Sequence, residues 1–156
     1  MIDRYALSPV REVWTERAQY GRWLDVEYAV AAAWEDLGVA PAGTEGRIRR
    51  AAVIDVEDIH AVEATVDHDV IAFIKSATRA MGDEARFVHL GMTSSDVVDT
   101  ALGLALKQSG AMLLGQLDVL HGVLAEQAVR YRAAVVVGRT HGIHAEPTSF
   151  GLKFLS

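Results

Sequence analysis

The apolar positions of this chain repeat with the period of a helix over most of its length. Between residues 15 and 37, Tyr20, Trp23, Val30, Trp34 and Leu37 fall on one helical face, and Gly38 supplies a stop signal. Residues 41–46, with Pro41, Gly43 and Gly46, read as a loop. Two shorter helices are expected over 56–63 and 67–81, the second ending near Gly82. A polar turn over 91–95 leads into a further helix over 96–107. The clearest stripe follows: Leu113, Leu117, Leu120, Leu124, Ala128 and Tyr131 trace one face of a long helix. Val135, Val136 and Val137 are β-branched and predicted to be extended. Pro147 suits the first turn of a helix, so 148–156, with Phe150, Leu152 and Phe154, reads as the opening of another. The pattern predicts an all-α fold that ends in a bundle-type helix.

Composition narrows the classes. A chain of 156 residues with 51% hydrophobic content can bury a real core. Fifteen basic against twenty-one acidic residues give a net charge of −6, which argues against nonspecific nucleic-acid binding. There is no cysteine, hence no disulfide framework and no thiolate zinc site, which fits a reducing cytosol. The N-terminal residues read as no signal peptide, and no apolar run approaches the roughly 18 residues that span a bilayer. The expectation is a soluble cytoplasmic protein.

Three polar clusters carry candidate chemistry. The first, Thr65 to Asp69, opens a helix; Asp67 or Asp69 can cap its first turn, with His68 beside them at the positive end of the helix dipole. The second, His89 to Thr100, places the hydroxyls of Thr93, Ser94 and Ser95 before a helix start, where unpaired backbone N–H groups suit a carboxylate or phosphate oxygen. A plain cap, with Asp96 at the cap position and Asp99 as its box partner, accounts for part of that cluster but not for the surplus of hydroxyls. The third cluster, Arg139 to Leu152, crowds Arg139, Thr140, His141, His144 and Glu146 between Gly138 and Pro147. His141 and His144 could form a metal pair, but no third ligand lies at helical spacing. The alternative is acid–base catalysis, since an imidazole exchanges protons near neutral pH.

Five blocks of the sequence, in order and spacing, resemble the adenylosuccinate lyases of the fumarase/aspartase superfamily. They are Met1 to Tyr5, Trp23 to Glu27, Asp67 to Phe73, His89 to Thr100 and Gly138 to Thr148. Cycloisomerases of the same superfamily share a block similar to the fourth. The resemblance runs from Arg4 to Phe154. It implies an N-terminal helical domain over 1–92 and the beginning of a central helical-bundle domain over 93–156.

The implied reaction is β-elimination of fumarate from adenylosuccinate, giving AMP, and from the succinylated carboxamide ribotide SAICAR, giving AICAR. By the match, His141 is the general acid at the leaving nitrogen, and His68 is a second active-site histidine that assists it. Thr93 and Ser94 hold a succinyl carboxylate, with Thr140 helping. Arg4 and Tyr5 grip the nucleotide phosphate, as suits a fork donor beside a phenol. Asp69 lines the substrate pocket, and His89 supports it. Asp67 departs from the pattern, because many members carry a basic or amide residue there, so only its backbone position transfers. No metal or cofactor is implied, and the small-molecule substrate is the expected partner together with three further copies of the chain. Sites in this family are assembled from three subunits of a homotetramer. The family's catalytic base is a serine on a glycine- and serine-rich loop that has no counterpart here. The expectation is therefore an N-terminal portion that is inactive alone.

Two readings from other classes remain open at this point. A non-enzymatic helical module would use the Leu113 to Tyr131 stripe as a partner face, and a metal-dependent hydrolase would use His141, His144 and Glu146.

Overall fold

The computed structural model describes residues 3–155, so Met1 and Ile2 of the first block and Ser156 of the last expected helix lie outside the described residues. The chain folds as two compact units, Met1–Ser109 and Gly110–Ser156. Among the described residues no helix is long and apolar enough to cross a membrane.

The first unit opens with a 3-10 turn, Asp3–Tyr5, and a short helix α1, Val10–Val13. Helix α2, Glu16–Asp36, follows the expected span. Thr15 caps its start by accepting from the Ala18 N–H at 3.2 Å, and Gly38 leaves the helix at φ 72°. Its apolar face builds the core. Tyr20, Trp23 and Phe73 pack as an aromatic triangle with ring centroids 5.2–5.8 Å apart. Ile48, Ile59, Val70 and Val97 close around them, all fully buried.

Helix α3, Thr44–Ala51, occupies part of the segment expected to be a loop. Its N-cap, Gly43, offers no side chain, and the missing acceptor comes from α2 instead. The Glu35 carboxylate accepts from the backbone N–H of Gly43 at 2.7 Å and from that of Glu45. Those bonds, Glu45 first, hold the Glu35 carboxyl below its usual range. Its support for α3 is thus present above the unfolded carboxylate range and is lost as pH falls through the lowered folded value.

Helix α4 spans Val56–Val66, capped by Asp55, and α5 spans Asp69–Ala77. The second is shorter than the expected 67–81, for a backbone reason. Asp67 adopts φ 51° and terminates α4, so it cannot begin a helix, and His68 is the N-cap of α5. Asp58 ties the pair together, accepting from Ser76 Oγ at 2.6 Å and from Arg79 Nη2 at 2.8 and 2.9 Å. After a 3-10 turn, Asp83–Phe87, the chain enters α6, Ser94–Arg130. The two helices expected over 96–107 and around the leucine stripe are therefore one, continuous through Gly110. In the first unit, Val97 and Ala101 of α6 join the core, and Ser109 Oγ accepts from Trp14 Nε1 at 2.9 Å.

The second unit holds the rest of α6, a hairpin and a 3-10 turn, Gly151–Phe154. Strand β1, Val135–Thr140, is extended as expected and pairs antiparallel with β2, Ile143–Ser149. Pro147 pairs with Val137 inside β2 and starts no helix, which corrects the expected one over 148–156. A two-stranded ribbon is all edge, where a missing N–H is tolerated. Tyr131 packs on Phe150 and Phe154 at 5.2 and 6.2 Å, and a Cβ on Gly151 would strike the Ala128 carbonyl. The fold remains predominantly helical, with this single hairpin added.

The aromatic triangle makes a stability prediction. Phe73→Ala empties the 0%-exposed centre of the first unit and is expected to cost about 3–5 kcal/mol. Chemical denaturation of both proteins, followed by tryptophan fluorescence, measures it; a loss below 1 kcal/mol would contradict the assigned packing.

Candidate active site

The polar clusters are delivered by helix starts and one turn. Arg4 and Tyr5 sit together on the first 3-10 turn: Arg4 Nη2 donates to the Tyr5 hydroxyl at 3.0 Å, and the guanidinium lies 4.9 Å from the ring centroid. Both are exposed, Tyr5 to 71%.

His68 closes the start of α5. Its Nδ1 accepts from the Ile71 N–H at 3.4 Å and lies 3.4 Å from Asp69 Oδ1. Accepting needs a lone pair on Nδ1 and pairing with Asp69 needs a proton there, so the two are alternative uses of one nitrogen. Asp69 also accepts from the Val70 N–H at 2.7 Å. The cap is therefore His68, not Asp67 or Asp69 as expected, because Asp67 is taken up by the left-handed end of α4.

Thr93 precedes the first residue of α6, and its N–H donates to Asp96 Oδ2 at 2.8 Å. Asp96 is thus the reach-back member of the capping arrangement rather than the cap itself, in the place expected for Asp99. This leaves the Thr93 hydroxyl without a hydrogen bond among the described residues, exposed at the helix start, with Ser94 beside it. That geometry can receive an anionic oxygen.

Thr140 and His141 belong to the second unit. Thr140 pairs with Ile143, and His141 and Gly142 form the two-residue loop, at φ 49° and 78°. Positive φ at both central residues is the I′-type reversal that matches strand twist. The loop leaves Thr140 and His141 exposed at the hairpin tip. Gly138, at the register shift, admits no side chain, since a Cβ would strike the Glu146 carbonyl.

Within the first unit, no hydrogen bond or ion pair among the described residues joins the Arg4–Tyr5, His68–Asp69 and Thr93–Ser94 groups. Each is presented separately.

His89 is the exception, half-buried against a buried partner. Its N–H donates to Glu27 Oε2 at 2.6 Å, and its Nδ1 lies 2.9 Å from Glu27 Oε1. Glu27 is 1% exposed. Residue-pattern reading missed its role, although a signal existed: Glu27 fills the core-face position between Trp23 and Val30 in the α2 stripe, where a carboxylate is out of place. Trp34, one turn from that stripe's end, donates its Nε1–H to the Leu90 carbonyl at 2.9 Å.

Against known proteins, a family model described as lyase matches residues 4–156. An adenylosuccinate lyase of Thermotoga maritima is 52% identical over 155 residues, covering 99% of this chain and 36% of that protein. Among solved structures, a fumarate lyase from Mesorhizobium sp. BNC1 superposes with a TM-score of 0.89 at 25% identity, over 96% of this chain and 36% of that one. A β-carboxy-cis,cis-muconate cycloisomerase from Acinetobacter calcoaceticus sp. ADP1 does so at 0.86 and 30% identity, over 95% of this chain and 36% of that one. The chain thus spans about a third of the length of the relatives it matches.

The turn before α6 yields a direct test of this local structure. Gly91 lies at φ 77°, and a Cβ there would meet the Trp34 ring at 2.9 Å. Gly91→Ala is expected to cost on the order of 1–3 kcal/mol, whereas Gly103→Ala, in open space within α6, is expected to gain about 0.5–1 kcal/mol. Paired thermal melts read both, and equal melting temperatures would contradict the assigned turn.

Proposed function

This chain belongs to the lyase family whose model spans it, and we propose that the whole protein is an adenylosuccinate lyase. The reading is carried by the 52% identity to the Thermotoga enzyme over 99% of this chain. The exposed polar groups described above are of the types the reaction needs.

In the proposed reaction a base outside these residues removes a C–H proton of the succinyl group. The electron pair forms the C=C bond of fumarate, the C–N bond breaks, and the departing nitrogen takes a proton from His141. The products are AMP from adenylosuccinate and AICAR from SAICAR. Charge accumulates on the succinyl carboxylates as the carbanion develops, so fixed donors at that point lower the barrier most. Thr93, Ser94 and Thr140 are the proposed donors. His68 assists His141 in proton transfer, and Arg4 with Tyr5 holds the phosphate through charge-assisted bonds. Asp69 lines the pocket. Asp67 contributes backbone position alone, its side chain being the wrong charge for a phosphate.

We place residues 1–92 in an N-terminal domain and 93–156 in the opening of a bundle domain that assembles four copies in the cytoplasm. The support is the outward face of α6, where Leu113, Leu117 and Leu120 are 57%, 58% and 51% exposed. In this reading, assembly completes the site.

Two outcomes are expected. In the whole enzyme, His141→Ala lowers adenylosuccinate turnover by roughly two to four orders of magnitude, the usual worth of a positioned acid, with a much smaller change in substrate binding. Turnover within a few-fold of wild type would remove His141 from that role. For residues 1–156, sedimentation across a concentration series should show self-association, since each buried leucine returns about 1.5–3 kcal/mol. A monomer at every concentration would contradict the α6 assignment.

A further inference from the structure

Glu27 is a charged side chain on the core face of α2, and both of its oxygens serve one residue of a distant segment. A carboxylate accepts hydrogen bonds and donates none, so the proton in the 2.9 Å contact resides on His89 Nδ1. The other ring nitrogen, Nε2, has no partner among the described residues, on a side chain 16% exposed. The backbone around it is unusual. His89 at φ 62° and Gly91 at φ 77° place two left-handed residues within three. Such a segment persists only where its surroundings over-determine it. Here the surroundings are identifiable: Glu27 holds the His89 N–H, Trp34 holds the Leu90 carbonyl, and the Trp34 ring fills the space over Gly91. Thr93 and Ser94 follow at once.

The geometry points to Glu27 as a positioning residue that acts through His89. It fixes the orientation of the ring, with Nδ1 held at Glu27 and Nε2 left for the substrate. Through the His89 N–H, the same carboxylate sets the turn that aims Thr93 and Ser94 at the carboxylate they hold. Trp34 secures the turn one residue further on. This assignment rests on the lyase reading above and deepens it.

The test is a double-mutant cycle in the whole enzyme, with adenylosuccinate as substrate. Glu27→Gln keeps size and shape but leaves one acceptor oxygen for two donors. It should lower kcat by roughly tenfold to a hundredfold, as misplacement of supporting groups does. If Glu27 acts through His89, Glu27→Gln adds less than about twofold in a His89→Ala background. A purely structural role would multiply the two losses, and that result would overturn the assignment. Because burial makes Glu27→Gln a risk to folding, His89→Asn supplies an independent arm. Its amide keeps a donor for Glu27 but has no counterpart of Nε2. It should lose kcat to the same degree as Glu27→Gln, with a melting temperature within a degree or two of wild type. Wild-type kcat in His89→Asn would overturn the assignment even if Glu27→Gln did not fold. Failure of the wild type to cleave adenylosuccinate would instead overturn the lyase reading, and this inference with it.

Discussion

A carboxylate withdrawn from water loses several kcal/mol of hydration, and it persists in a core only when its lone pairs find donors. Among the described residues Glu27 meets that requirement through His89 alone, with the backbone N–H on one oxygen and the ring on the other. Much of the first unit is arranged around the helix that carries it. The same α2 contributes Tyr20 and Trp23 to the aromatic core, Glu35 to the start of α3 and Trp34 to the turn before α6. One helix thus sets the core and the entry into the long helix. Thr93 and Ser94, the proposed anion-binding positions, follow that turn directly.

Where a segment's capping and packing are local, the sequence was readable. Thr15 caps its own helix and Gly38 ends it, so α2 could be drawn from the residue pattern. The leucine stripe of α6 likewise follows from spacing alone. Helix α3 was hidden because its capping acceptor belongs to Glu35, on another helix, while Gly43 looked like a loop residue. The hairpin was half visible. Three valines announced β1, but Pro147 suggested a helix where the chain had already paired as β2. His141 and Gly142 together could have signalled the reversal, since histidine is among the residues that tolerate positive φ.

The candidate site shows the same division. Thr93, Ser94 and His141 stood out because their clusters hold more polar groups than a cap or a turn needs, and His68 stood out through the family resemblance. Glu27 did not, because its importance lies in a contact across 62 positions of chain. The cap at His68 also escaped pattern reading, which gave it to Asp67 or Asp69, and Asp96 was read as the cap itself where it is the reach-back partner of Thr93. In both cases the deciding term was a backbone angle or partner that spacing does not encode.

The central claim is chemical, and identifying products tests it most directly. The whole protein, incubated with adenylosuccinate and followed by proton NMR, should release AMP and fumarate in equal amounts. Their appearance at a 1:1 ratio would bear out the elimination. Intact adenylosuccinate, alongside conversion of a carboxymuconate to its lactone, would contradict it and move the chain to the cycloisomerase branch.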